Sequence, residues 1–232
     1  MKLSILILTH KRPFLFNRCM ESAMFQLEDK DVEVIVNNDS RDILEWNHPQ
    51  IKYYYEQGEN LSDIYKFLLS KATGEYVYFL EDDDFLVADF VHKLPFKGDV
   101  IAGNYMPTWN EKHAVRCSTM YGDKTYKSPA TFLKATNLED LQLSQYVFKR
   151  SCIVDFPFPA DNNIHNDINL LMYAVQNSKN IKTMSKVFFY QTTDGGDNIS
   201  FPESKPSIEV TKSMDFVKNY AFASELQSTT ET

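Results

Sequence analysis

Four adjacent acidic side chains, Glu81, Asp82, Asp83 and Asp84, are the residues of this sequence best suited to chemistry. They directly follow the apolar, β-prone run 75–80, which predicts a buried strand that presents the four carboxylates at its C-terminal end. Like charges this close repel one another, and a hard divalent ion such as Mg²⁺ or Mn²⁺ is the usual partner of clustered oxygen ligands. The alternative is a solvated acidic loop in which Asp84 caps the next helix.

Two more polar stretches stand at the ends of predicted strands. Residues 9–12, with the sequence Thr-His-Lys-Arg, close an Ile- and Leu-rich run, and residues 37–40, Asn-Asn-Asp-Ser, follow the apolar run 31–36. In open parallel sheets, ligands bind beyond the carboxyl ends of the strands. We therefore expect three polar strand ends to converge on one crevice, which a solvated acidic loop does not predict.

The elements that must position these residues alternate between strands and helices. Strands are predicted at 2–9, 31–36, 52–55 and 75–80, with one helix that begins at Pro13 and a second that is capped by Ser62 and ended by Gly74. This order is typical of an α/β fold with a Rossmann-like, mainly parallel sheet, right-handed crossovers and flanking helices.

The second part of the chain predicts further elements around this sheet. They are a short helix at 85–92, a strand at 99–105, a long loop or hairpin at 106–128, a short helix opened by Ser128 and Pro129, a strand at 145–148, a helix at 166–177, a strand at 181–191 and a last helix from Pro206. We also expect a mobile lid at 190–206, which contains Gly195 and Gly196, and a frayed tail at 224–232.

The composition fits one folded domain in a reducing compartment. Of the 232 residues, 43% are hydrophobic and 24% charged, and the three cysteines are spaced too widely for a zinc or disulfide pattern. Because the apolar run near the N-terminus is short, we expect a cytoplasmic protein with no signal peptide or transmembrane segment. The formal net charge of −8 arises within residues 1–92, whereas 112–134 is locally basic and would suit an anionic partner.

Four blocks of the sequence resemble the family 2 glycosyltransferases, which are nucleotide-sugar enzymes of the GT-A fold. The blocks are Ser4–Pro13, Val34–Ser40, Ala72–Tyr76 and Phe79–Asp84, in the order and spacing of the family, and the last one contains a D-x-D motif. The resemblance implies a metal-dependent, inverting transfer of a sugar from a nucleotide-sugar, with a UDP-sugar as the expected donor, to an acceptor hydroxyl. Mn²⁺ or Mg²⁺ is the implied cofactor.

The resemblance also implies a role for individual residues. The implied donor-binding residues are Thr9, His10 and Arg12 in the nucleotide pocket, Asn38 or Asp39 at the base, and Glu81 or Asp82 at the ribose. Asp83 would bind the metal ion, which neutralises the charge that develops on the diphosphate leaving group. Asp167 matches the acid that takes the proton from the acceptor hydroxyl in this family.

Three departures from the family pattern are visible. Asn37 and Asn38 replace an Asp pair, Asn166 replaces the acid before Asp167, and an arginine expected near the nucleotide is missing, with Lys66 as a candidate substitute. Simpler roles also fit these positions: a turn at 37–39, a surface ion pair for Arg12, and an acid in the first turn of a helix for Asp167.

The acceptor is the least constrained part of the prediction. The resemblance divides the chain into a donor-binding half, 1–104, and a half at 105–223 that binds the acceptor and carries the base. A saccharide or glycoconjugate is the expected acceptor, with Trp109, Tyr121 and Tyr126 as candidate contacts. Two alternatives stay open: a phage-type enzyme that modifies 5-hydroxymethylcytosine in DNA, and a nucleotide-sugar-binding module without turnover.

Overall fold

The computed structural model describes residues 1–40, 45–58, 60–109, 113–114, 121–136, 142–158 and 166–192. Within these ranges the strands are β1 (Leu3–Thr9), β2 (Val32–Asn38), β3 (Ile51–Tyr54), β4 (Tyr76–Glu81), β5 (Phe85–Leu86), β6 (Val100–Trp109), β7 (His113–Ala114), β8 (Lys124–Tyr126), β9 (Tyr146–Lys149) and β10 (Ile181–Thr192). The helices are α1 (Pro13–Met24), α2 (Leu61–Lys71), α3 (Phe90–Lys93), α4 (Pro129–Ala135) and α5 (Asn166–Gln176).

The described strands form one mixed sheet in the order β3-β2-β1-β4-β9-β6-β10-β5, with β7 paired to β6 and β8 paired to β10. The strands β3, β2, β1 and β4 are mutually parallel, and β6 is parallel to β10. The sheet is less parallel than the sequence predicts, because β9 lies between β4 and β6 and runs antiparallel to both. The α/β class with flanking helices is confirmed.

The sheet is buried on both faces, as the continuous apolar runs of its parallel strands predict. Leu6 of β1 packs on the side of α2, α4 and α5, whereas Ile5 packs on the side of α1 and α3. This burial fixes the register of β1, because a slip of one residue would exchange its two faces. None of the helices in the described ranges is long and apolar enough to cross a membrane.

Helix α2 begins and ends differently from the prediction. Asn60, not Ser62, is its N-cap, and its side chain accepts a hydrogen bond from Asp63 N (3.0 Å). Ser62 is buried inside the helix. Gly74 lies beyond the end of α2, where a Cβ atom would come within 2.6 Å of Ser4 N in β1, so this glycine permits a close approach of two backbones.

The segment after the carboxylates also differs from the prediction. Instead of one helix over 85–92, the chain forms the short strand β5 and then α3. Pairing with β10 holds β5 extended, and the Phe85 ring stacks on Tyr190 at 4.9 Å between centroids. β6 continues to Trp109, so the predicted boundary between the two halves at 104/105 falls inside this strand. The predicted helix from Pro206, the tail 224–232 and most of the predicted lid lie outside the described residues.

Glu33 is a buried carboxylate in β2 that joins three neighbouring segments. It accepts hydrogen bonds from Ser4 Oγ (2.7 Å), Thr73 N (2.8 Å) and Lys52 Nζ (2.8 Å). Burial by itself would raise the pKa of Glu33, but hydrogen bonds from Lys52, Thr73 and Ser4 lower it to about 2. Folding therefore favours the ionised form of this side chain.

We predict that Glu33→Gln lowers the free energy of unfolding by about 3 kcal/mol near neutral pH. A carboxyl group whose pKa falls on folding stabilises the protein above its unfolded pKa and loses that contribution as the pH drops through the folded value. The difference between wild type and variant, measured by urea unfolding, should therefore shrink between about pH 5 and pH 2. Glu75→Gln, at an exposed ion pair with Lys2, is the matched control with little effect. A difference that does not change with pH would contradict the prediction.

Candidate active site

Three polar strand ends meet at one edge of the sheet, as the sequence predicts. Leu8 in β1 aligns with Asn37 in β2 on one side and with Glu81 in β4 on the other. Beyond these positions, His10 Nδ1 lies 2.6 Å from Asp39 Oδ1. Arg12 Nη1 donates to Asp82 Oδ1 and to Asp83 Oδ2, each at 3.2 Å. The convergence rules out an acidic loop that is merely solvated.

The polar side chains at the end of β2 differ in whether they are buried in the protein or accessible to a ligand. Asn37 is fully buried and exchanges two hydrogen bonds of 2.9 Å with the backbone of Glu56, which fastens the chain after β3. Asn38 is also buried, and its Oδ1 accepts from Ser40 N (3.2 Å) and Ser40 Oγ (2.9 Å). Asp39 is partly exposed beside His10. Of these three side chains, Asp39 is the one that a ligand can reach.

The four carboxylates after β4 point to different partners. Asp84 is buried and accepts a hydrogen bond from Thr192 N (3.0 Å) at the end of β10, so it is not a helix cap. Asp82 and Asp83 are nearly buried and face Arg12. Glu81 is exposed. Asp84 thus has a structural role, Asp82 and Asp83 are paired with an arginine, and Glu81 is accessible to solvent.

Arg18 holds the acidic turn against the far end of the chain's last described strand. Its Nη2 donates to the carbonyl oxygen of Asp83 (2.7 Å) and to Thr192 Oγ1, and its guanidinium lies over the Phe85 ring at 4.7 Å. Neither Arg18 nor Thr192 is predicted from the sequence. They are 174 positions apart, so no local pattern connects them.

Burial raises the pKa of every carboxyl group in the cluster, and repulsion between carboxylates raises it further for Glu81, Asp82 and Asp84. Loss of hydration, followed by the charges of Asp83, Asp167 and Asp82, raises the pKa of Glu81 to about 8. The Glu81 side chain is exposed to solvent although protein atoms surround it closely. We call this solvent-accessible but crowded place around Glu81 the recess. Burial raises the pKa of Asp82 to about 6 against the opposing effects of Thr9 and Arg12. For Asp84, burial raises the pKa well above its ordinary value.

Asp167 lies close enough to this recess for its charge to matter. It occupies the first turn of α5, is half-buried, and contributes to the raised pKa of Glu81. The structure therefore brings Asp167 near Glu81, although the two are far apart in the chain.

Tyr65, rather than Lys66, is the α2 residue that lies near the carboxylates. Its ring packs edge-on against Phe79 at 5.4 Å, and Phe79 shares a face of β4 with Glu81. Burial raises the pKa of the Tyr65 phenol well above its ordinary value, and the charges of Glu81 and Asp167 raise it further. Its hydroxyl thus stays protonated. Lys66 is exposed one residue further along the helix, and the sequence analysis missed Tyr65.

Two of the three predicted acceptor contacts lie away from this edge. Tyr121 is buried in the core, where its hydroxyl lies 2.5 Å from that of Tyr146. Tyr126 belongs to β8, which pairs with Ile181–Thr183 at the start of β10, whereas the carboxylates lie at its end. Trp109 ends β6 at the same edge as the carboxylates, because β6 runs parallel to β10. Of the three candidates, Trp109 is thus the one at the edge that holds the carboxylates.

The donor set fits a metal ion only in part. In the portion of the chain that the structure describes, no three His, Cys, Asp or Glu side chains are arranged to hold a metal ion. Asp82 and Asp83 do supply two adjacent carboxylates, and Mg²⁺ is often bound by one or two carboxylates together with substrate phosphates. These residues therefore suit an ion that a bound diphosphate helps to hold.

Comparison with known sequences identifies a matching family. Residues 4–96 match the profile of a family described as Glycosyl transferase family 2. The protein named Glycosyltransferase GlyA, from Streptococcus pneumoniae serotype 4, is 24% identical over 140 residues, which make up 54% of this chain and 20% of that protein. The matched region thus spans about a fifth of the length of this curated relative.

Comparison with solved structures identifies the same architecture. A crystal structure of a fragment of S. aureus TarS has a TM-score of 0.63 at 17% identity and covers 83% of this chain and 60% of that chain. The fragment in complex with UDP-GlcNAc has a TM-score of 0.61 at 15% identity and covers 95% of this chain and 66% of that one. At this identity the likeness shows the fold alone.

Proposed function

We propose that this chain, whose residues 4–96 match the profile of Glycosyl transferase family 2, transfers a sugar from a nucleotide-sugar donor to an acceptor hydroxyl. The observation that carries this proposal is the meeting of Arg12 with Asp82 and Asp83 at the carboxyl ends of the parallel strands, beside Asp39 and His10. Such an edge is where open α/β sheets bind ligands.

The proposed donor is a UDP-sugar. Asp39 and His10 lie at the end of β2 where the base would bind, next to the buried Asn38, and Thr9, Arg12 and Asp82 continue toward the carboxylates. Glu81 lies in the adjoining recess, where it would reach the ribose. The GT-A neighbour that was crystallised with UDP-GlcNAc supports a donor of this class. Lys66, exposed on α2, stays a candidate contact for the nucleotide, and Tyr65 adds a second α2 side chain near the carboxylates.

The proposed cofactor is Mn²⁺ or Mg²⁺, held by Asp83 together with the donor diphosphate. When bound, such an ion neutralises the charge that develops on the nucleoside diphosphate as the glycosidic bond breaks. Arg12 lies beside the same carboxylates and supplies a second positive charge to this region. The arrangement therefore favours departure of the diphosphate.

Asp167 is the proposed general base, and the reaction is a single displacement that inverts the anomeric centre. Asp167 would take the proton of the acceptor hydroxyl as that oxygen attacks the anomeric carbon, while the bond to the diphosphate breaks on the opposite side. Its place in the first turn of α5, near Glu81, supports this role. Tyr65 keeps its proton and can donate a hydrogen bond in the same recess.

A saccharide or glycoconjugate is the proposed acceptor, and residues of the half at 105–223 would bind it. Trp109, at the same sheet edge as the carboxylates, is the retained acceptor candidate. The alternative acceptor is hydroxymethylated DNA, which an acceptor assay would distinguish. The alternative function is a module that binds a nucleotide-sugar without turnover. A cytoplasmic location agrees with Cys19 and Cys152, which are both free thiols.

We predict that the protein with Mn²⁺ slowly hydrolyses one member of a panel of labelled nucleotide-sugars and transfers its sugar when the acceptor is present. Asp83→Ala should lower either rate by about 100-fold or more, because the diphosphate loses its metal-mediated stabilisation. Asp89→Ala, which removes an exposed carboxylate a few residues away, is the matched control with wild-type activity. Tight donor binding without release of UDP would contradict the transferase in favour of the binding module.

We predict that Asp167→Asn lowers kcat for transfer by about 100- to 10,000-fold while donor affinity stays near the wild-type value. The amide keeps the shape of the side chain but cannot accept the acceptor's proton. Single-turnover transfer and calorimetric titration with UDP measure the two quantities, and Asp155→Asn at an exposed position is the control. Near-normal transfer by Asp167→Asn would remove this residue as the base.

A further inference from the structure

We propose that Arg12 is the built-in counter-cation of the donor-free site and that it must release Asp83 before a divalent ion can bind there. The metal ion and the nucleotide diphosphate would then bind together, and the ion alone would bind weakly. This inference rests on the proposed function, because it concerns the order in which the proposed cofactor and donor enter.

The geometry places one guanidinium nitrogen between two neighbouring carboxylates. Arg12 Nη1 lies 3.2 Å from Asp82 Oδ1 and 3.2 Å from Asp83 Oδ2. The side chains of Arg12, Asp82 and Asp83 are 22%, 9% and 12% exposed, so all three are largely removed from water. Carboxylates this buried need a partner of opposite charge, and Arg12 supplies it.

The other cations near the carboxylates are engaged differently. Arg18 donates to the main-chain oxygen of Asp83 and supports the turn, and His10 faces Asp39. Lys11 precedes Arg12 but its side chain is exposed. Among the described residues, Arg12 is therefore the cationic side chain that donates to the carboxylate oxygens of both Asp82 and Asp83.

Competition between Arg12 and a metal ion follows from this arrangement. Asp83 Oδ2, one of the two carboxylate oxygens that could ligate the ion, already accepts from Arg12, and a divalent ion beside the guanidinium would be repelled by it. The described residues provide no third His, Cys, Asp or Glu ligand that would compensate for displacing Arg12. A diphosphate changes this balance, because its oxygens can accept from Arg12 and ligate the ion at the same time.

Arg12 can exchange partners without disturbing the helix behind it. It is the N-cap residue of α1, and its main-chain oxygen accepts from Phe16 N at 2.9 Å. Pro13 follows as the first helical residue. These contacts hold the backbone at the start of α1, so the Arg12 guanidinium could move from Asp83 toward a diphosphate without displacing the helix.

The test is the binding of Mn²⁺ to the full chain, measured from the free-ion electron paramagnetic resonance signal with and without UDP. In the wild type we expect weak Mn²⁺ binding that UDP strengthens by about 5- to 150-fold, the usual range for coupled sites. Arg12→Gln should bind Mn²⁺ alone more tightly than the wild type by about the same factor, and the further gain from UDP should be smaller than in the wild type. Lys11→Gln removes an adjacent exposed charge and should behave as the wild type.

Two results of the Mn²⁺ titrations would overturn the role of Arg12. One is equal Mn²⁺ affinity of Arg12→Gln and wild type in the absence of UDP. The other is an equal gain in Mn²⁺ affinity in Arg12→Gln and Lys11→Gln, which would reflect net charge alone. If Arg12→Gln does not fold by itself, Mn²⁺ should restore folding by replacing the missing cation, and failure to do so would contradict the proposal. A wild type that binds no nucleotide would remove the proposed function, while the comparison with Mn²⁺ alone would still decide the role of Arg12.

Discussion

The accumulation of negative charge at the end of β4 is the constraint on which the rest of the structure depends. Four carboxylates stand together at the end of one buried strand, and other contacts must offset their mutual repulsion. Asp84 has the backbone of β10, Asp82 and Asp83 have Arg12, and Glu81 has partial access to solvent. The strand end is thus stabilised by contacts with elements from distant parts of the sequence.

These contacts join the two parts of the chain. The first part supplies β1, β2 and β4, whose parallel register brings residues 9–12, 37–40 and 81–84 to one edge. The second part returns to the same edge through β10, where Thr192 contacts Asp83 and Asp84 and is contacted by Arg18. Helix α5 adds Asp167 from a third direction. The site is therefore assembled across the sheet, although half of its charged residues come from one short run.

What the sequence could predict depends on the range of the interaction. The parallel strands, the helix after Pro13 and the meeting of three strand ends follow from apolar periodicity and from strand direction, which are local or topological. The short strand β5 could not be predicted, because its pairing with β10 overrides a pattern that reads as a helix. Arg18, Thr192 and Tyr65 were missed for the same reason, since only the packed sheet brings them to the carboxylates. Tyr121 and Tyr126 were misplaced because aromatic residues among basic ones look alike in the core and on a binding surface.

The central claim is that the carboxylates after β4 hold a metal ion against the diphosphate of a sugar donor where the parallel strands end. The most direct measurement is a crystal structure with Mn²⁺ and UDP, in which anomalous scattering locates the ion. We predict a manganese peak at the Asp83 carboxylate and on the diphosphate, the base near Asn38 and Asp39, and the Arg12 guanidinium moved from Asp83 to a phosphate oxygen. A nucleotide bound away from these strand ends, or a diphosphate bound there with no ion on Asp83 and with Arg12 in place, would contradict the claim.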